Sequence, residues 1–168
     1  CCDAVSVVTP TSTHFEIAQK ALLAEKDVFV EKPLVLNSAE GEKLCNLAEK
    51  NQNILMVGHI MLYHSATLRL KKIIEEGELG EIRYIYSTRV NLGKVRQEEN
   101  ALWSFAPHDI SVILFLLGQK PISVSCTGSC YLQPGLEDVV FLTMHFQNNV
   151  MAHIHVGWLD PHKDRKLT

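Results

Sequence analysis

Val28-Phe-Val-Glu-Lys-Pro-Leu34, VFVEKPL, reads as a short buried strand that ends in a carboxylate, an amine and a proline. Branched and aromatic residues favour a pleated, packed strand. Pro33 cannot donate to a ladder, so the strand stops before it. In open α/β sheets ligands bind beyond the carboxyl ends of the strands. Lys32 therefore stands where such a sheet places its chemistry, and Pro33 fixes the turn that aims it. Glu31 points to the opposite side by the period-two rule, so it is not the ion-pair partner of Lys32.

The same logic extends outward. Ala4 to Val8 is another continuous apolar run, the pattern of a strand covered on both faces. TPTSTH, at 9–14, breaks it and offers hydroxyl caps. Phe15 to Ala24 then carries Ile17, Ala18, Ala21 and Leu22 at helical spacing. A second helix is expected over Ala39 to Lys50, capped by Asn37 or Ser38, and a third strand over NILMVGH at 53–59. Strand, helix, strand, helix, strand is a parallel, doubly wound arrangement. Residues 1–62 thus read as the C-terminal part of a Rossmann dinucleotide-binding domain, although no GxGxxG occurs in the sequence.

From residue 63 the pattern changes. Thr67 to Gly77 is an amphipathic helix, Ile82 to Asn91 a long strand, and His108 to Leu117 an apolar helix stopped by Gly118. ISVSCTGSCYL, EDVVFLTMHF and VMAHIHVGWLD follow as strands, the last two joined by an Asn148-Asn149 turn. The fold class expected is α/β, a partial Rossmann unit with a parallel sheet. An α+β domain over 63–168 follows, with a mostly antiparallel sheet and helices on one face.

The 168 residues are 46% hydrophobic and 21% charged, with a net charge of −3. Those are the proportions of an ordinary globular protein with no nucleic-acid footprint and no polybasic membrane patch. No apolar run is long enough to span a bilayer. The five cysteines form no CxxC pair and suggest a reducing, cytoplasmic setting. The chain opens without Met, directly into DAVSVV, and closes in mid-pattern on RKLT. It is expected to be a piece of a longer polypeptide.

VVTPTSTH, VFVEKPL, MVGH and GELGEIRYI follow one another in an order and spacing that resembles the Gfo/Idh/MocA family of NAD(P)-dependent oxidoreductases. NALWSFAPHDISVILFLLG resembles that family's catalytic-histidine helix, and the stretch from EDVVF to the end resembles its C-terminal sheet. WSFAPHD and WLDPHKDRK are most similar to the members acting on nucleotide sugars. The resemblance implies NAD or NADP as cofactor and a sugar or nucleotide-sugar substrate. It also implies a homo-oligomer formed through the second sheet, and a cofactor site that includes Thr9, Pro10, His14, Glu31, Lys32 and Pro33. Many relatives carry Asp where this chain has Ser104, four residues before His108, which leaves Asp109 as the adjacent carboxylate.

The chemistry implied is hydride transfer from a secondary alcohol. Such a reaction needs a group to steady the alkoxide and a base for the hydroxyl proton. Lys32 suits the first role and His108 the second, since an imidazole accepts a proton near neutrality. Placed just after Pro107, His108 is expected to open its helix, where the helix dipole disfavours imidazolium. Arg96 is a candidate for an anionic substrate group. Tyr63, Asn91, Trp103 and Lys163 are candidates for the substrate, with His64 beside Tyr63. His153 and His155 share a strand face, but no third ligand stands at a recognisable spacing, so no metal is expected. The other reading is a binding or scaffold module without catalysis, and inositol or simple hexose oxidation is the variant within the enzyme class.

Overall fold

A computed structural model describes residues 2–168; Cys1 lies outside the described residues. The first unit begins with β1 (Ala4–Val7), a short turn of 3-10 helix over Thr11–Thr13, and α1 (His14–Leu23). It continues with β2 (Asp27–Val30), α2 (Ser38–Asn51) and β3 (Leu55–Val57). The three strands lie in the order β1-β2-β3 and all run parallel. One face of this sheet is covered by α1 and α2, which pack on each other and supply apolar stripes. His14, Ala18, Ala21 and Leu22 are buried on α1, and Leu44 and Ala48 on α2. They close over Val7, Val28 and Val30. Fully burying a side chain such as Leu22 or Leu44 stabilises by roughly 1.5–3 kcal/mol. The Asn37 side chain accepts from the Ala39 N–H at 2.9 Å and starts α2.

The second unit, Ile60–Thr168, opens with a 3-10 turn at Ile60–Tyr63 and α3 (Ser65–Glu75). Then come β4 (Tyr84–Leu92), α4 (Ala101–Leu117), β5 (Ser123–Ser129), β6 (Val139–His145), β7 (Met151–Gly157) and β8 (Leu159–Leu167). The sheet order is β5-β6-β7-β4-β8. Three pairings are antiparallel, as expected, but β4 and β7 run parallel. Period-two alternation sets which face a residue takes; it does not say which strand lies alongside. β8 is also new relative to the sequence reading. LDPHKDRKL carries a proline and five charged residues, and it pairs only along one edge of β4.

α4 packs on β4, β6 and β7. Alternate residues beneath it are buried: Val140, Leu142 and Met144 on β6, Ala152, Ile154 and Val156 on β7. The core is finished by Trp158, whose indole N–H donates to the fully buried Asp138 carboxylate. Burial pushes the Asp138 carboxyl up, but bonds from the Leu132 and Tyr131 N–H groups and from Trp158 outweigh it and hold the group below the usual carboxylate range. The other face of the sheet is open. There Phe141 stacks on His155 with ring centroids 4.5 Å apart, and Tyr86 stacks on His153 at 5.7 Å. The turn between β6 and β7 bends through Asn148 and Asn149, both at positive φ.

The start of α4 corrects the sequence reading. The helix begins at Ala101, not His108. Asn100 caps it by accepting from the Trp103 N–H at 3.0 Å, and its own amide donates to Glu137. Pro107 therefore sits inside the helix and withholds one hydrogen bond from the turn before it. His108 lies well past the first turn, where the dipole effect has faded. The helix-start argument for its neutrality does not hold.

Candidate active site

The sites of the two units are built differently. In the first, parallel register sets the geometry. Val30 of β2 pairs with Val7 of β1 and Val57 of β3. The Glu31 N–H donates to the Val7 carbonyl at 3.0 Å, and the Gly58 N–H to the Val30 carbonyl at 2.8 Å. The chain then leaves three adjacent strand tips together: Thr9 and Pro10 after β1, Glu31, Lys32 and Pro33 after β2, Gly58 and His59 after β3. The Lys32-Pro33 bond is cis.

Gly58 lies close under two side chains. A β-carbon there would come within 3.0 Å of the Phe29 ring and 3.2 Å of Glu31 Oε2. The Glu31 side chain thus lies over the tip of β3, and its Oε2 accepts from the Lys32 backbone N–H at 3.3 Å. His59, which the sequence reading quoted only as part of MVGH, belongs to this cluster. Burial and the charge of Lys32 both hold its imidazole below the ordinary histidine range. Its buried Nδ1 has no hydrogen-bond partner among the described residues. The signal for it in the sequence was its place directly after the third parallel strand.

His14 stands apart from the solvent-facing candidates. It is 1% exposed, and both ring nitrogens meet backbone carbonyls, Nδ1 that of Pro33 and Nε2 that of Thr9, each at 2.9 Å. It acts on any ligand through the loops it holds. Thr13 steadies the same turn: its Oγ1 bonds the Pro10 carbonyl at 2.8 Å and shares a bond with Thr9 Oγ1 at 2.7 Å.

In the second unit the candidates hang from a helix and from strand ends. Ser104 and His108 are one turn apart on α4 and share a face. Asp109 does not face them. Its buried carboxylate accepts from Ser87 Oγ at 2.8 Å and from Arg89 Nε at 2.6 Å and Nη2 at 3.1 Å, so it pins α4 to β4. Asn91 lies at the irregularity between Val90 and Leu92, where β8 runs alongside, and the exposed Lys163 is on that neighbouring strand. The Asn91 amide fills the space where Gly93 would carry a β-carbon. Arg96 is exposed in the loop before α4, with Glu99 3.9 Å from its guanidinium. Trp103 is 37% and Tyr63 66% exposed. His64 is spent on capping α3, its Nδ1 accepting from the Ala66 N–H. His153 Nδ1 pairs with Thr143 Oγ1 at 3.0 Å. Among the described residues no three His, Cys, Asp or Glu side chains are arranged to hold a metal, and no helix is long and apolar enough to cross a membrane.

The three aligned strand tips present hydroxyls, a carboxylate, a lysine and a close-approach glycine at one edge of a parallel sheet. Such a donor set fits one half of a dinucleotide, the ribose and its base.

Comparison with known proteins agrees with this geometry. Residues 1–59 match the family described as "Oxidoreductase family, NAD-binding Rossmann fold", and residues 67–168 match the "GFO/IDH/MocA C-terminal domain". A UDP-N-acetylglucosamine 3-dehydrogenase from Acidithiobacillus ferrooxidans is 34% identical over 127 residues, 75% of this chain and 39% of that protein. Its solved structure superposes with a TM-score of 0.86, at 28% identity, over 98% of this chain and 53% of its own. A scyllo-inositol 2-dehydrogenase (NAD(+)) from Bacillus subtilis is 31% identical over 140 residues, 80% of this chain and 41% of that protein. An inositol dehydrogenase homologue from Azotobacter vinelandii, solved with NADH and myo-inositol, superposes with a TM-score of 0.90 at 25% identity, over 98% of this chain and 47% of its own. This chain spans about half the length of these relatives, and their names divide between nucleotide sugar and inositol, so the nucleotide-sugar members are not favoured over the inositol ones. The chain belongs to the Gfo/Idh/MocA oxidoreductase family.

Proposed function

We propose that the protein is an NAD(P)-dependent dehydrogenase that oxidises a secondary hydroxyl of a sugar or nucleotide sugar. The observation that carries this reading is Lys32 at the tip of the middle parallel strand, close enough to His59 for its charge to lower the affinity of that imidazole for a proton. In this reading a nicotinamide held at these strand tips would supply the hydride acceptor. Lys32 Nζ holds the substrate oxygen and carries its developing charge, while the His108 imidazole takes the hydroxyl proton. Thr9, Pro10 and Glu31 border the cofactor, and Asn91, Arg96, Trp103, Lys163 and Tyr63 face the substrate. An inositol is the second substrate class, favoured by the likeness to the scyllo-inositol 2-dehydrogenase and to the inositol dehydrogenase homologue solved with myo-inositol. The stacked rings on the open sheet face suit a second copy of the chain, and a reducing cytoplasmic setting suits the unpaired thiols of Cys2, Cys45, Cys126 and Cys130.

The test uses the full-length protein with NAD+ or NADP+, a panel of UDP-sugars and inositols, and reduced cofactor as the readout. One class should turn over, and Lys32→Met and His108→Asn should each lower kcat by ~100-fold or more. Wild-type turnover in Lys32→Met sinks the assignment. Failure to bind any dinucleotide favours the binding-module reading. Sedimentation of the full-length protein as a monomer at micromolar concentration removes the homo-oligomer.

A further inference from the structure

We propose that His14 is a positioning residue for Lys32: it braces the Thr9 loop against the Lys32-Pro33 turn, and so fixes where the lysine stands. The proposal rests on the catalytic reading of Lys32. The brace spans two loops that follow neighbouring strands. His14 Nδ1 lies 2.9 Å from the Pro33 carbonyl, one residue past Lys32, and Nε2 lies 2.9 Å from the Thr9 carbonyl. Both partners are acceptors only and a neutral imidazole carries a single N–H, so the tautomer decides which carbonyl takes the hydrogen bond and which is held by close packing against the ring. The ring is 1% exposed, which leaves water no room to replace it.

Each end has ties of its own; on the Lys32 side the backbone N–H donates to Glu31 Oε2 at 3.3 Å. The Thr9 side is stiffened locally, because the Thr13 N–H and hydroxyl both bond the Pro10 carbonyl. Beyond Glu31, whose N–H is tied to Val7, the turn at Lys32 and Pro33 is joined to the first loop through His14. Pro33 carries no N–H of its own for the purpose. A stiff loop thereby serves as the anchor for the residue that has to be placed accurately. Small misplacements of a catalytic group are costly: a shift of about 1 Å can lower the rate ~100-fold.

A histidine that merely fills the core would stabilise the unit without touching the rate of the folded enzyme. The experiment separates the two in the full-length protein, with His14→Phe, His14→Gln, Lys32→Met and the double variant H14F/K32M. The brace predicts a folded His14→Phe enzyme with kcat lowered ~10–100-fold. It predicts partial recovery in His14→Gln, which restores one donor, and a double variant no slower than Lys32→Met alone. Multiplied losses in the double variant, or an unchanged kcat in folded His14→Phe, overturn it. Should His14→Phe not fold, His14→Gln takes its place. Wild-type turnover in Lys32→Met would instead sink the catalytic reading. The brace is then decided by the acylation rate of Lys32, which should change several-fold in His14→Gln while that of the exposed Lys20 does not. Equal Lys32 rates in wild type and variant would overturn the brace on its own.

Discussion

The strand tips of the first unit and the helix α4 of the second solve one problem, holding a polar group in place, by different means. At the tips the backbone does most of it: parallel register sets Glu31, Lys32 and His59, and a single side chain, His14, ties two loops through their main-chain carbonyls. On α4 side chains do it. Asp109 is clamped by Ser87 and Arg89, and Asn100 holds the helix start to Glu137. A backbone-defined site tolerates substitution of most side chains. A side-chain-defined one fails when a single partner is lost.

That contrast can be broken by mutation. Asp109→Ala leaves the Arg89 guanidinium, whose side chain is 12% exposed, without its buried counter-charge. Chemical denaturation should show a loss of about 3–5 kcal/mol, and an effect under 1 kcal/mol would mean the clamp is not what seats α4. Leu44→Ala, in the core of the first unit, should cost about 3 kcal/mol by cavity formation. Replacing Thr9 or Glu31 should cost far less than either, and a Thr9→Ala loss as large as that of Leu44→Ala would remove the distinction. Asn100→Ala should cost about 1 kcal/mol through loss of the helix cap.

The smallest effect is on pH dependence, and it samples both units. His59 is held low by burial and by Lys32. His155 is held low by burial, with Asp160 raising it and His153 lowering it. A histidine depressed in the folded state binds fewer protons there than when unfolded. Its contribution is therefore intact above the ordinary histidine pKa and is lost as pH falls from there toward the folded value. Thermal melts between pH 7 and pH 5 should show falling stability, and His59→Gln and His155→Gln should each flatten the slope. An unchanged slope in both variants would place the acid sensitivity elsewhere.

Much of the first unit was legible because continuous apolar runs and Pro33 leave few alternatives. The position of Lys32 follows from them directly. His14 was harder: TPTSTH looks polar and exposed, and nothing in its spacing shows that the ring turns inward to two carbonyls. The start of α4 was misread because Pro107 was taken to stand just before the helix, whereas Asn100, with its cap to Trp103, was the better signal. That earlier start puts Ser104, outside the helix in the sequence reading, on the same helix as His108. Asp109 was legible as a neighbour in sequence, but its engagement by Arg89 depends on which strand lies under the helix. Neither that nor the partner of β4 is written in local periodicity.

The placement of β4 bears on how the chain is made. β1, β2 and β3 each meet partners about twenty-five residues away, whereas β4 ends at Leu92 and its neighbours begin at Met151 and Leu159. At about 5–20 residues per second of synthesis, a strand with a central place in its sheet waits roughly 3–12 seconds on the ribosome before either edge is covered. During that interval the apolar side of Tyr84–Leu92 depends on α4, or on a chaperone, for shelter. Slow codons between residues 93 and 150 would lengthen the exposure and raise the fraction of nascent chains lost to aggregation.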